Sequence, residues 1–296
     1  MRMEGQDESD NVEDVRGMSG GGGGFRLGGG RSIGIGTIAV ALVAGWALGI
    51  NPLTMLSLLS GGGTPVQQQT VPQGQAPAPP ANDAQAKFVS QVLRSTEQVW
   101  TDIFRQGGKS YEPPKLRLFS GSFPTACGMG QAAMGPFYCP GDRIVYLDMQ
   151  FFDVMRSRLG APGQFAQAYV IGHEVGHHVQ NLLGISERVD AARQRGGEAQ
   201  ANAMSVRLEL QADCFAGVWA NRSQQEAGWR LEPGDIETAL NAASQIGDDT
   251  LQRKTRGEVV PETFTHGTSA QRVSWFKRGS QSGDVQQCNT FDSRQL

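Results

Sequence analysis

Apolar residues along the chain fall into two kinds of pattern. Residues 32–50 (SIGIGTIAVALVAGWALGI) form an uncharged apolar run that resumes after Pro52 as LTMLSLLS, ending at residue 59. A run of this length can cross a hydrocarbon core of about 30 Å. It predicts one transmembrane helix over 32–50, or to 59. A cleaved signal peptide fits less well, because the run starts late and leads into a Gly/Gln/Pro tract. Residues 1–31 are polar and then glycine-rich, which predicts a disordered N-terminus. Residues 60–83 (SGGGTPVQQQTVPQGQAPAPPAND) predict a flexible spacer that stiffens at its proline-rich end. The folded domain is expected over 84–296.

Within that domain the apolar positions become periodic. Phe88, Val92, Val99 and Ile103 repeat at helical spacing and predict a helix over 84–106. KLRLFS (115–120) predicts a strand. Residues 135–152 predict a hairpin turning at Pro140-Gly141-Asp142, with RIVYLD (143–148) as its second strand. Further helices are predicted over 162–183, stopped by Gly184, over 197–221, and over 234–246. Strands first and helices later predict an α+β domain.

Charge adds orientation. Arg16, Arg26 and Arg31 precede the apolar run, and no Lys or Arg follows it until Lys87. That asymmetry predicts a single-pass cell-membrane protein. Its N-terminus would be cytoplasmic and its large domain extracytoplasmic, either periplasmic or extracellular. A net charge of −3 with scattered basic residues excludes a nucleic-acid partner. The four cysteines contain no CxxC pair, so a zinc ribbon is excluded. Outside the cytoplasm they are expected to form two disulfides. Of the three connectivities, Cys127 with Cys139 and Cys214 with Cys288 is the pairing expected.

GHEVGHHVQ (172–180) holds three of the four histidines. At about 100° per residue, His173 and His177 lie about 40° apart on one helix face and can grip one ion. Glu174 borders that face and reaches a water on the metal, while His178 points away. This is the H-E-x-x-H spacing of a zinc site with a glutamate base. Gly172 and Gly176 weaken a helix, so their presence implies close approach of a backbone or a substrate. The helix over 197–221 contains ELQADCFAG, in which Glu209 and Asp213 share a face within an apolar stretch. Glu209 supplies a third ligand, and Asp213 accepts the free N–H of a liganding histidine. The competing readings are a polar helix face pairing Glu174 with His178, and an amphipathic helix with two solvated acids.

H-E-x-x-H followed by E-x-x-x-D resembles the gluzincin metallopeptidases. ELQADCFAG is similar to the corresponding element of the membrane-associated HtpX-type peptidases. Those enzymes also carry a histidine with an arginine six positions later, as His266 and Arg272 stand here in THGTSAQRVSWF. Residues 84–296 as a whole resemble the bacterial family called putative neutral zinc metallopeptidases. The resemblance implies a zincin-like domain with one Zn²⁺ held by His173, His177 and Glu209, and Glu174 as general base. It also implies His266 and Arg272 as donors to the carbonyl oxyanion, and a peptide or protein as substrate. By analogy with zincins, RIVYLD is the candidate edge strand for an extended peptide. Two rivals share these residues: a zinc amide hydrolase acting on cell-wall or other non-protein material, and a zinc-binding scaffold without turnover.

Overall fold

β-Branched and aromatic segments of the first half build a small sheet, and longer amphipathic segments of the second half build helices against it. The computed structural model describes residues 1, 6–17, 77–131, 135–157, 163–226, 229–245, 247–250, 252 and 259–292. In chain order the elements are β1 (Val12–Asp14), α1 (Ala84–Gln106), β2 (Lys115–Phe119), β3 (Ser122–Thr125), β4 (Gly128–Gln131), β5 (Phe137–Cys139) and β6 (Ile144–Asp148). They continue as α2 (Gln150–Ser157), α3 (Gln164–Leu182), α4 (Ile185–Arg195), α5 (Glu198–Glu226), α6 (Asp235–Gln245) and α7 (Ser269–Ser282). Short 3-10 turns occupy Pro261–Thr263 and Val285–Cys288. The fold is mixed α+β, as expected.

The main sheet has the order β1-β2-β6-β5. β1, β2 and β6 run parallel, with Val12 opposite Leu116 and Leu116 opposite Val145. β5 returns antiparallel and pairs Cys139 with Ile144 across the expected turn. All five residues of β6 are buried, because the strand is covered on both sides. RIVYLD is therefore interior; among the described residues the sheet edges are β1 and β5, and β5 lies one strand earlier than the expected edge. MQFF also departs from the expected hairpin: Gln150 starts α2, for which the Asp148 carboxylate caps the Gln150 amide at 2.9 Å.

α5 is the central helix, and its crossings depend on missing side chains. A Cβ on Gly172 of α3 would come within 2.7 Å of the Trp219 ring, and one on Gly176 within 3.0 Å of the Ala212 carbonyl oxygen. Gly176 lets α3 and α5 approach backbone to backbone, the close approach its placement implied, and Gly172 makes room for the Trp219 ring. α7 crosses α5 at Gly217 and Gly279, where an added Cβ on Gly279 would lie 2.0 Å from the Cys214 carbonyl oxygen. Disulfides Cys127–Cys139 and Cys214–Cys288 form, with Cα separations of 5.8 and 5.5 Å.

The N-terminus differs from expectation. Glu13 pairs with Lys115 and Arg117, and the Ser9 hydroxyl and Asn11 amide both donate to Glu97 of α1. Three strand residues with satisfied polar neighbours are enough to dock a segment whose composition alone predicts disorder. The spacer is docked at its end too: Pro77 accepts from the Asp14 amide at 2.7 Å, and Asp83 caps α1 while pairing with Arg16.

The expected membrane placement is corrected by these contacts. The predicted span over 32–50, with its extension to 59, lies outside the described residues, as do 18–31 and 60–76. Among the described residues no helix is long and apolar enough to cross a membrane. β1 precedes the apolar run and β2 follows it, yet the two are hydrogen-bonded neighbours. Both flanks therefore lie on one side of any bilayer, and a cytoplasmic N-terminus with a domain outside does not hold.

Candidate metal centre

α3 places Tyr169, His173 and His177 four residues apart on one face, with Glu174 beside them. α5 delivers Glu209 and Asp213 to that face across the Gly176–Ala212 approach. The Nε2 atoms of His173 and His177 stand 3.2 and 3.5 Å from the two carboxylate oxygens of Glu209. The three residues offer ligand atoms that lie within 4.8 Å of one another. A tetrahedral zinc with bonds of about 2.0–2.1 Å has ligand atoms roughly 3.3 Å apart, so each histidine stands near that edge length from a Glu209 oxygen and the donor set suits the ion.

Each histidine is tethered through its other nitrogen. His173 Nδ1 lies 2.9 Å from Asp213 Oδ1, and His177 Nδ1 lies 2.9 Å from Gln180 Oε1. Both tethers turn Nε2 toward Glu209. Burial opposes a charge on His173, but Asp213 and Glu209 outweigh it and push its pKa up to about 10. Burial also works against the Glu209 anion, yet His177 and His173 hold its carboxyl well below the usual range. The raised imidazole and the Glu209 anion both favour positive charge at this face, the electrostatics of a cation site. Glu174 is buried, which raises its carboxyl, while His173, His177 and a backbone hydrogen bond from Tyr138 pull the other way.

Asp213 is the hub behind the site. The Tyr169 hydroxyl donates to its Oδ1 at 2.6 Å. Arg272 donates to it through Nε at 2.8 Å and Nη2 at 2.9 Å. Arg272 is paired with Asp213 and is only 2% exposed, and it also lines the cleft beside Tyr169 and His266. His266 lies on a half-exposed loop at the cleft. Asp248 shapes that loop by accepting from the amides of Thr265, His266 and Gly267 at 2.7, 2.6 and 3.0 Å, and it faces His266 Nδ1 at 3.3 Å. This leaves His266 Nε2 free, and the bond to Asp248 raises the imidazole pKa.

His178 turns away, as its helical angle requires. Its Nε2 donates to the Glu112 carbonyl at 2.7 Å, and its Nδ1 accepts from the Tyr138 hydroxyl at 3.1 Å. Burial lowers its pKa to about 4, so it stays neutral and pins α3 to β5. It does not pair with Glu174.

A cleft of about 730 Å³ opens over these groups. Phe151, Val154 and Val170 form an apolar wall, and β5 forms a second wall through Phe137 and Tyr138. Sequence reasoning did not assign roles to Tyr169, Gln180 or Asp248. Tyr169 and Gln180 stand four before His173 and three after His177, so helical spacing carried a signal for both. Asp248 carried none, because its contact is made between loops.

Comparison with known proteins adds the family. A family model described as putative neutral zinc metallopeptidase matches residues 1–291. Uncharacterized protein YpfJ of Escherichia coli (strain K12) is 52% identical over 295 residues, covering 98% of this chain and 99% of that protein. Uncharacterized protein Mb2605 of Mycobacterium bovis is 45% identical over 211 residues, covering 68% and 69% of the two chains. No solved structure matches. Because the family model spans nearly all of the sequence and reaches through every residue of the His173–His177–Glu209 cluster, the chain belongs to the putative neutral zinc metallopeptidase family.

Proposed function

We propose that the protein is a zinc-dependent peptidase whose ion is held by Nε2 of His173, Nε2 of His177 and the Glu209 carboxylate. The observation that carries this reading is the convergence of two imidazoles and one carboxylate with ligand atoms within 4.8 Å of one another, the His₂Glu donor set of a zinc site. Three protein ligands leave a fourth position, the arrangement of catalytic rather than structural zinc. When bound, the ion supplies Lewis acidity, lowering the pKa of a water and polarising the scissile carbonyl.

The remaining steps belong to the chain's own side chains. Glu174 borders the ligand face, takes the proton of the attacking water and returns it to the leaving amine. His266 donates from Nε2 to the oxyanion that develops on the carbonyl. Its orientation is supported by Asp248 at Nδ1. Arg272 holds Asp213, which in turn holds His173, and because it also lines the cleft it shares with His266 the oxyanion role that the resemblance implies. The open edge of β5 borders the cleft and suits an extended peptide, which adds as a strand.

The test is zinc content and cleavage of casein and quenched peptides by the full chain, beside Glu174→Gln and Glu209→Gln. Wild type should retain one zinc and cleave. Glu174→Gln should retain zinc and lose cleavage, and Glu209→Gln should lose both. Equal cleavage by wild type and Glu174→Gln refutes the base assignment. Zinc bound without cleavage of a broad peptide library refutes the peptidase reading.

A further inference from the structure

The two histidine ligands are held by different chemistry. His173 Nδ1 faces the Asp213 carboxylate, whereas His177 Nδ1 faces a neutral amide, Gln180 Oε1. An amide presents either an acceptor oxygen or a donor nitrogen. Gln180 therefore fixes the His177 tautomer only if something fixes Gln180. Its Nε2 donates to the Leu208 carbonyl at 2.7 Å and to Gln211 Oε1 at 3.1 Å. Gln211 Nε2 in turn donates to the Cys288 carbonyl at 2.9 Å.

A backbone carbonyl can only accept. The Cys288 oxygen thus draws the Gln211 nitrogen toward itself and turns the Gln211 oxygen toward Gln180. That oxygen, with the Leu208 carbonyl, draws the Gln180 nitrogen, so the Gln180 oxygen faces His177. The proton of neutral His177 must then sit on Nδ1, and the Nε2 lone pair points toward Glu209. Gln180 and Gln211 are 0% and 6% exposed, so water does not compete for these bonds.

The starting point of the relay is itself anchored. Cys288 is bonded to Cys214 of α5. Arg207 Nη1 donates to the Thr290 carbonyl at 2.5 Å, and the Thr290 hydroxyl donates to the Arg207 carbonyl at 2.6 Å. We infer that residues 285–290 set the tautomer of His177 through Gln211 and Gln180, which makes both glutamines positioning residues for the metal. The inference rests on the zinc-site reading given above.

The test uses the full chain as wild type, Gln180→Met, Gln180→Glu and Gln211→Met, with disulfides intact. Zinc affinity is read by competition with a chromophoric chelator, and folding by the thermal midpoint of the metal-free protein. The His177 tautomer is read from imidazole ¹⁵N shifts of metal-free protein at a pH where the ring is neutral. Loss of a partner to a liganding histidine weakens metal binding by about 10- to 100-fold, the loss expected for Gln180→Met. Gln180→Glu keeps an acceptor at Nδ1 but gives up the donor to the Leu208 carbonyl and Gln211 Oε1, so it should recover part of that loss while lowering the thermal midpoint. Gln211→Met should cost a smaller factor and raise the population protonated at Nε2.

Zinc affinity of Gln180→Met within about twofold of wild type overturns the relay. So does an unchanged His177 tautomer in Gln180→Met, since the amide oxygen would then not be what holds the Nδ1 proton. If Gln180→Met does not fold, Gln211→Met decides, and an unchanged affinity and tautomer there overturn the relay. A wild type that takes up no zinc, or zinc binding that survives Glu209→Gln, overturns the site reading itself and the relay with it.

Discussion

Replacing Asp213 by asparagine probes the buried charges behind the metal face. The substitution keeps shape and leaves an oxygen to accept from Tyr169. It removes the charge that neutralises Arg272, whose guanidinium is buried against it by two bonds. A buried charge stripped of its partner costs about 3–5 kcal/mol. For a domain of roughly 150–250 residues each kcal/mol moves the melting temperature by about 2–4 °C, so a fall of roughly 6–20 °C is expected. Removing both charges with Asp213→Asn and Arg272→Met leaves no orphaned ion, and at least half of the loss should return. The assay is thermal and guanidinium unfolding of metal-free protein, which keeps zinc affinity out of the comparison. Burial alone would raise the Asp213 carboxyl, but Arg272 and His173 hold it at about 2, below its ordinary 3.8. A depressed carboxyl contributes stability above its unfolded pKa and loses it only as pH falls through the folded one. Asp213's own titration therefore leaves the deficit unchanged from neutral pH down to about 4, but His173 loses the partner that keeps it charged, so the deficit should widen as pH falls through the ordinary histidine value of 6.5. A loss under about 1 kcal/mol, or a double variant less stable than Asp213→Asn, would refute the account of Arg272 as a charge that depends on Asp213.

Three other outcomes follow from the packing and the loops. Gly279→Ala forces a Cβ to within 2.0 Å of the Cys214 carbonyl oxygen, so α5 and α7 must separate, at a cost of about 1–3 kcal/mol or more in chemical unfolding. Burial lowers His178 from 6.5 to about 4, so its neutral form favours the fold above 6.5 and that advantage drains away as pH falls toward 4, by about 3 kcal/mol. Unfolding free energies measured from pH 7 to 4.5 should show a shallower acid slope in His178→Gln; an unchanged slope assigns the loss to other groups. His266 is raised chiefly by its bond to Asp248, against burial, so it keeps its charge above its ordinary pKa and activity should fall as pH rises through the raised value. Asp248→Asn should move that limb of the kcat profile downward, and a limb that stays in place removes His266 from the step.

Much of this architecture was legible because it is helical. Phe88, Val92 and Val99 repeat along α1 and all three bury. The same geometry put His173 with His177, Glu209 with Asp213, and turned His178 away. Gly172 and Gly176 announced the α3–α5 crossing by their cost to a free helix. What stayed hidden depends on contacts distant in sequence. β1 is three residues long in a polar segment, and only Lys115 and Arg117 on β2 give its Glu13 a reason to be buried. α4 buries only Val189, too little for a periodic signal. Arg272 has a spacing from His266 that matches a motif, but its partner Asp213 is 59 residues away in sequence, and spacing cannot name such a partner.

The β1–β2 pairing has a kinetic side. Glu13 and Arg117 meet across 104 residues, and parallel partners so distant must wait for the closure of a long loop. During synthesis β1 emerges well before the strand it needs, so α1 and the β2–β6 pair can assemble while it is still unplaced. β1 would then be the last strand to add and the first to leave, fraying from the sheet edge without disturbing the metal face at the opposite end, where β5 stands. Proteolysis or hydrogen exchange should therefore find the N-terminal strand opening at a much lower free energy than α3 and α5, and a cleaved strand would leave β2 as an exposed edge prone to pairing with another chain.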